Sequence, residues 1–105
     1  MARVAFQLTI RPGCIEAYDE SHRQVWPEML QALKTVGISN YSIFRRDRLL
    51  ILVLEVDDFE RAWGKLDKDP VNVSWQKEMA PLFEPLAGLG PGERFPMMRE
   101  VFYLE

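Results

Sequence analysis

The chain begins with a regular alternation of apolar and polar positions. The apolar set is Val4, Phe6, Leu8 and Ile10. A period of two is typical of a β-strand with one buried and one polar face. Pro12-Gly13 follows directly, and because both residue types commonly break regular structure, the first predicted strand ends in a turn.

A spacing of three to four residues then replaces the alternation and predicts helix. The positions with this spacing are Ile15, Tyr18, His22, Val25, Trp26, Met29, Leu30 and Leu33. Pro27 interrupts the stretch, since proline lacks the amide hydrogen and clashes with the preceding turn. We therefore predict two helical pieces that meet near Trp26, with Pro27 opening the second and Gly37 capping its end.

The middle of the chain predicts a hairpin followed by a helix. Residues 38–44 and 49–56 are rich in β-branched, aromatic and other apolar side chains, which favours two strands. Asp57-Asp58 precedes a helical stretch over residues 59–66, and these carboxylates suit the positive end of the helix dipole.

The last third predicts one more helix and a final strand. The helix follows Asp69-Pro70, and its apolar positions are Val73, Trp75, Met79, Leu82 and Phe83. Residues 86–96 contain three glycines and two prolines, so they predict a loop, here called the Gly-Pro loop. Residues 99–104 predict the last strand.

The predicted order is therefore β-α-β-β-α-β, the ferredoxin-like arrangement of the α+β class, in one domain over residues 1–105. Its helices cover one face of an antiparallel sheet. The run Leu49-Leu50-Ile51-Leu52-Val53-Leu54 is nevertheless apolar on both faces, and a bare face would expose a large apolar patch. Either a second copy of the chain covers that face and forms a dimeric α/β barrel, or the Gly-Pro loop does.

Composition and charge exclude several classes of function. The net charge is −3, and the only basic cluster, Arg45-Arg46-Asp47-Arg48, contains an acid at the expected hairpin turn, so we expect no nucleic-acid binding. Cys14 is the only cysteine, which fits a reducing cytoplasm. The sequence begins directly with a strand pattern and contains no apolar run of about 20 residues, so we expect neither a leader nor a membrane span.

Tyr18 and His22 concentrate more chemistry than any other stretch. They are four residues apart, so the phenol and the imidazole lie on one helix face, and Trp26 continues that stripe as a flat apolar wall. His22 is the only histidine, and we expect no metal site and no cofactor. An imidazole can give and accept a proton near neutral pH, which suffices for a reaction such as opening and closing a sugar hemiacetal. The alternative is a half-buried structural histidine.

Several other residues have two interpretations. Tyr41 shares a strand face with Ile43 and points either into the core or into a cavity. Trp63 and Trp75 either pack in the core or stack on the C–H faces of a sugar. Glu55 lies either at the solvated end of its strand or in a pocket as an orienting base.

The chain resembles the L-rhamnose mutarotase family over almost its full length. The resemblance rests on Tyr18, His22, Val25-Trp26-Pro27-Glu28, Gly37, Asn40-Tyr41-Ser42-Ile43, Asp69-Pro70-Val71, Trp75, Met79 and Glu100-Val101-Phe102-Tyr103-Leu104. It implies a dimeric barrel of ferredoxin-like protomers and an aldose 1-epimerase that interconverts α- and β-L-rhamnopyranose. By likeness, His22 is the proton donor, and Tyr18, Tyr41 and Trp75 line the sugar site.

Two departures from the family pattern lie near the expected pocket rim. Gln76 stands where the family carries the second tryptophan of a pair, and its amide can both donate and accept hydrogen bonds to a sugar. Residues 84–88 and the Gly-Pro loop replace an Asn-Pro-Asp-x-Ser-Pro-like stretch. Both departures bear on whether L-rhamnose or a related pyranose is the preferred sugar.

Two functions of other classes fit the same predicted architecture. Small dimeric α+β barrels also serve as cofactor-free oxygenases or as haem-handling proteins, in which His22 would be an axial ligand. A non-catalytic sugar-binding module is the other alternative, because the fold by itself does not choose among these functions.

Overall fold

A computed structural model describes residues 2–105 of the protein. Its strands are β1 (Ala2–Thr9), β2 (Ser39–Arg46), β3 (Leu49–Val56) and β4 (Met97–Met98). Its helices are α1 (Ile15–Arg23), α2 (Pro27–Thr35), α3 (Phe59–Leu66) and α4 (Pro70–Met79), and a 3-10 turn, Ala80–Leu82, follows α4. The third strand and the third helix have the bounds that the sequence predicts.

The four strands form one antiparallel sheet in the order β2-β3-β1-β4. Phe6 lies opposite Leu52, which lies opposite Ile43, so these side chains share one face. Phe6 and Leu52 are buried in a core that includes Ala62 and Leu66 of α3, which identifies this as the helix-covered face. The predicted α+β class and element order are confirmed, although each helical connection contains two helices.

Two prolines fix where helices begin. Pro27 opens α2, and the preceding Trp26 is extended, with ψ 133°, because a residue before proline disfavours the helical region. Pro70 opens α4 in the same way, where the Asp69 carboxylate accepts a hydrogen bond from the Val71 amide. The predicted division of the first helical region near Trp26 is confirmed.

The prediction of a last strand over residues 99–104 is wrong. Only Met97 and Met98 pair with β1, and residues 99–105 adopt no regular structure. Arg3 contacts this tail through its side chain. Its guanidinium lies 4.3 Å from the centre of the Tyr103 ring and 3.9 Å from the Glu100 carboxylate. The apolar residues of the tail therefore make no strand pairing with the rest of the described chain, residues 2–98.

The side of the sheet away from the helices is here called the outer face. Its apolar side chains are Ala5, Phe44, Leu49, Ile51, Val53 and Met98, and its polar side chains are Arg3, Gln7, Thr9, Ser39, Ser42, Arg46 and Glu55. Phe44 is 62% exposed and Met98 46% exposed. The Gly-Pro loop leaves this face uncovered and instead packs Phe95 against the helix-side core. The alternative prediction, that the Gly-Pro loop covers the outer face, is therefore wrong.

Candidate functional site

An aromatic pocket lies between the helix-covered face of the sheet and helices α1, α3 and α4. Its cavity volume is about 80 Å³. Its lining is Phe6, Leu8, Tyr18, His22, Tyr41, Ile43, Leu52, Trp63, Trp75, Gln76, Met79, Phe83 and Phe95. The residues that the sequence assigned to a site, His22, Tyr18, Tyr41, Trp75 and Gln76, are all among them. Residues from α1, β2 and α4 therefore converge on one cavity.

Tyr18 and His22 form a stacked pair on α1. Their ring centres are 4.1 Å apart with an interplanar angle of 24°, as expected for side chains one helical turn apart. Tyr18 is only 4% exposed, so its ring lies on the inner side of the pair. The pair presents a phenol and an imidazole to the same cavity.

The tautomer of His22 follows from its backbone contact. Nδ1 lies 2.9 Å from the carbonyl oxygen of Tyr18, and because a carbonyl only accepts hydrogen bonds, Nδ1 carries a proton. The Ser21 hydroxyl donates to the same carbonyl at 2.7 Å and lies 2.9 Å from Nδ1. In the neutral ring Nε2 is then the free acceptor. Sequence reasoning missed Ser21, whose position beside His22 was the available signal.

Both phenols in the pocket stay protonated at neutral pH. Burial, with a smaller contribution from Asp19, raises the pKa of Tyr18 above its usual value. Burial, with a smaller contribution from Tyr18, raises the pKa of Tyr41 in the same direction. Neutral hydroxyls both donate and accept hydrogen bonds, so the two tyrosines suit an uncharged, hydroxylated ligand.

A β-bulge turns Tyr41 toward the pocket. Ser39 pairs with Glu55 and Ser42 with Val53, so two residues of β2 lie opposite one residue of β3. Asn40 takes up the extra residue in the left-handed region, with φ 48°, and its side-chain amide donates to a Glu55 carboxylate oxygen at 3.1 Å. Bulges re-aim neighbouring side chains in this way.

We expect the bulge to tolerate glycine and to resist a β-branched residue at position 40. A non-glycine residue in the left-handed region costs roughly 1–2 kcal/mol, so Asn40→Val lowers the free energy of unfolding by about that amount. Asn40→Gly removes the same contact to Glu55 without that strain and serves as the matched control. Urea unfolding measures both variants, and equal stabilities would contradict the strained bulge.

Trp75, and not Trp26 as predicted, is the tryptophan beside His22 in the pocket lining. Trp75 is 7% exposed and lines the pocket, with its ring centre 5.5 Å from that of His22 in an edge-to-face arrangement. Trp26 lies outside the pocket lining and packs edge-to-face on Trp75 at 5.1 Å. The prediction for Trp26 is wrong because α1 ends at Arg23, so Trp26 does not continue the helical stripe.

Gln76 is held at the rim by a buried asparagine. Its side-chain nitrogen donates to the Asn72 carboxamide oxygen at 3.3 Å, and Asn72, 5% exposed, donates to the Leu66 carbonyl at 3.0 Å. The carboxamide oxygen of Gln76 and one of its N–H groups remain free for a ligand.

Three further aromatic residues, Phe6, Trp63 and Phe95, line the pocket and pack against one another. Phe95 stacks on Phe6 with ring centres 4.4 Å apart, and Trp63 meets Phe6 edge-on at 6.0 Å. Trp63 is buried, as its interpretation as a core residue predicts, and it also lines the cavity; stacking on a sugar stays a prediction. Sequence reasoning missed Phe95, although it is the only aromatic residue of the Gly-Pro loop.

A second hollow opens beside the pocket and shares part of its wall. Tyr18, His22 and Ile43 line both, and the second hollow adds Asp19, Arg23 and Arg45. The hydrogen bonds from Arg45 hold the pKa of the Asp19 carboxyl below its usual value, so Asp19 is ionised at neutral pH. Sequence reasoning saw Arg45 only as part of a solvated turn and missed Asp19.

Glu55 lies away from the aromatic pocket. It shares a hollow with Arg3, Glu100 and Tyr103, on the outer side of the sheet. Its carboxylate accepts from Asn40 at 3.1 Å and lies 3.9 Å from the Arg3 guanidinium. The interpretation of Glu55 as an orienting base in the pocket is therefore wrong.

Residues 2–105 contain neither a cluster of metal-ligating side chains nor a membrane-spanning helix. That part of the chain contains no group of three or more His, Cys, Asp or Glu side chains arranged to hold a metal ion. None of its helices combines the length and the apolar character that crossing a membrane requires.

Comparison with known sequences gives a consistent result over the whole chain. The sequence model of the L-rhamnose mutarotase family matches residues 3–104. The L-rhamnose mutarotases of Bacillus subtilis and Opitutus terrae are 36% and 34% identical to this chain, and each match covers 100% of both proteins. The L-rhamnose mutarotase of Listeria monocytogenes is 36% identical over 99% of each.

Solved structures give the same picture. A crystal structure of L-rhamnose mutarotase from Formosa agariphila matches with a TM-score of 0.78 and 30% identity, covering 100% of both chains. Tetracenomycin F2 cyclase from Streptomyces glaucescens matches with a TM-score of 0.63, covering 100% of this chain and 97% of that one. At 20% identity, the second likeness shows the fold alone.

Proposed function

The chain belongs to the L-rhamnose mutarotase family, and we propose that its aromatic pocket is the site of that family's reaction, with His22 as the proton donor. The chain is accordingly an isomerase that interconverts the anomers of a carbohydrate. The observation that carries the proposed site is the stacked Tyr18–His22 pair inside the cavity. L-rhamnose, or a closely related pyranose, is the substrate.

The reaction needs only proton transfers. When the ring opens, the bond between C1 and the ring oxygen breaks, the ring oxygen gains a proton and the anomeric hydroxyl loses one. Closure on the other face of C1 returns both protons, so the reaction needs no oxidant or reductant. One imidazole that serves as acid and then as base is suited to this sequence.

A hydrogen bond to the backbone fixes the orientation of the His22 ring, which suits the residue to this role. Because Nδ1–H is bound to the Tyr18 carbonyl, Nε2 is the nitrogen that exchanges protons with the sugar. The protonated ring donates to the ring oxygen, and the neutral ring accepts from the anomeric hydroxyl. The Tyr18 phenol, protonated and stacked on the imidazole, polarises the same oxygen.

The remaining lining fits the two kinds of surface that a pyranose presents. Trp75 and Trp63 offer flat faces for the C–H side of the ring. The Tyr41 hydroxyl and the Gln76 amide offer neutral hydrogen-bonding groups for sugar hydroxyls. A pocket with apolar walls and a few polar groups is the usual form of a small-molecule site.

Measurements of anomer exchange with the unmodified protein test the proposal. Saturation-transfer NMR on L-rhamnose is expected to show anomer exchange faster than in buffer by a factor on the order of 10² or more. Polarimetry of freshly dissolved sugar gives an independent reading. Sugar binding without faster exchange would instead identify a non-catalytic binding module. A Soret shift on haem titration, together with no exchange on a panel of aldoses, would favour a haem-handling protein.

We also propose that the protein is a homodimer in which a second copy covers the outer face. The exposed apolar side chains of that face support this, because large contiguous apolar patches mark interaction sites. Val101, Phe102 and Leu104 of the tail are each at least 78% exposed and extend the apolar surface. A cytoplasmic location stays a prediction from the lone thiol of Cys14.

A further inference from the structure

An ion pair lines the second hollow together with His22, the proposed proton donor. Arg45 Nε and Nη2 donate to the two carboxylate oxygens of Asp19 at 2.8 and 2.7 Å. Asp19 follows Tyr18 on α1, and Arg45 is two residues beyond Ile43 on β2. The pair therefore joins the helix that carries His22 to the strand that carries Tyr41.

We infer that the Asp19 carboxylate, held in place by Arg45, binds hydroxyl groups of the sugar in the second hollow. This inference rests on the proposed function and adds a specificity determinant to it. Asp19 and His22 line the same hollow, so a sugar that reaches the imidazole from this side also meets the carboxylate.

The geometry leaves Asp19 free to accept further hydrogen bonds. Each carboxylate oxygen has two acceptor sites, and Arg45 uses one on each. About a third of each side chain remains exposed, 31% for Asp19 and 32% for Arg45. Arg45 has less freedom, because its Nη1 donates to the Asp47 carbonyl at 3.0 Å. The carboxylate is thus the group with spare capacity, and the guanidinium fixes its orientation.

The chemistry of the pocket makes a carboxylate useful at this position. The lining of the aromatic pocket offers only neutral polar groups apart from His22. Hydrogen bonds to an ionised acceptor are roughly twice as strong as neutral ones. Because Arg45 already balances the charge of Asp19, an uncharged sugar does not leave an unpaired charge when it binds.

The neighbouring basic residue does not compete for this carboxylate. Arg23 also borders the hollow, but its guanidinium pairs with Glu20 on the exposed side of α1. Glu20 does not line the hollow. Glu20 therefore offers a matched control: a carboxylate on the same helix, paired with an arginine, and outside the proposed subsite.

The decisive experiment measures KM and kcat for anomer exchange with L-rhamnose and with those monodeoxy analogues that keep the anomeric hydroxyl. We expect Asp19→Asn to raise KM for L-rhamnose about tenfold or more, the loss typical of a hydrogen bond to a charged group, and to change kcat less. For the analogue that lacks the bound hydroxyl, the unmodified protein and Asp19→Asn are expected to have the same KM. Glu20→Gln is expected to change neither constant.

Arg45→Lys provides a second variant, since lysine keeps the charge but loses the two-pronged contact. This variant is expected to raise KM for L-rhamnose and to leave KM unchanged for the analogue that lacks the bound hydroxyl. If the ion pair only joins α1 to β2, its loss would raise KM equally for all the sugars, and that result would overturn the inference. An unchanged KM in Asp19→Asn would do the same while leaving the proposed function intact. If the unmodified protein does not exchange anomers, the proposed function fails and this inference fails with it.

Discussion

His22→Ala is expected to reduce the catalysed rate of anomer exchange by about 10²–10⁴-fold, the usual contribution of general acid–base assistance. The imidazole is the only group in the aromatic pocket suited to both give and accept a proton at neutral pH, since burial keeps Tyr18 and Tyr41 protonated. The Gln76 amide does not titrate. No other residue that lines the aromatic pocket can therefore replace the imidazole.

His22→Gln separates proton transfer from binding. Glutamine keeps polar atoms at this position but cannot serve as an acid or a base, so we expect the same loss in kcat with a smaller change in KM. Saturation-transfer NMR gives the rates, and circular dichroism checks that each variant is folded. A glutamine variant that retains a tenth or more of the activity would remove His22 from the reaction.

Ile51→Glu is expected to convert the proposed homodimer into monomers. Ile51 is central on the outer face, between Gln7 on β1 and Phe44 on β2. A two-fold interface places the same residue on both copies, so the substitution buries two carboxylates, each at a cost of several kcal/mol. The dissociation constant then rises by a factor on the order of 10³ or more.

Sedimentation over a range of protein concentrations measures this effect. Val73→Glu adds the same charge to an apolar side chain on α4 that is 53% exposed and lies away from the outer face. It is expected to leave the dimer unchanged. A monomeric unmodified protein would contradict the proposed assembly, and a dimeric Ile51→Glu variant would place the interface elsewhere.

The local pattern of the sequence was sufficient for most of the elements. A continuous run of apolar residues predicted β3, and helical spacing with Pro27 predicted the division between α1 and α2, because these signals depend on residues close together in the chain. The same locality explains the Tyr18–His22 pair, which one helical turn brings together. The tail is the exception: its apolar residues predicted a strand, but strand pairing requires a partner edge that the pattern does not specify.

Tertiary structure decided the rest of the site. The side to which Tyr41 points depends on the bulge at Asn40, where one extra residue reverses the alternation. Phe95 enters the pocket from a loop, and Arg45 meets Asp19 from a position 26 residues away. The sequence by itself determined which side chains share a helix or a strand, since backbone geometry sets that spacing. Only the packed chain determined which of them meet across elements, because those contacts depend on how every helix lies on the sheet.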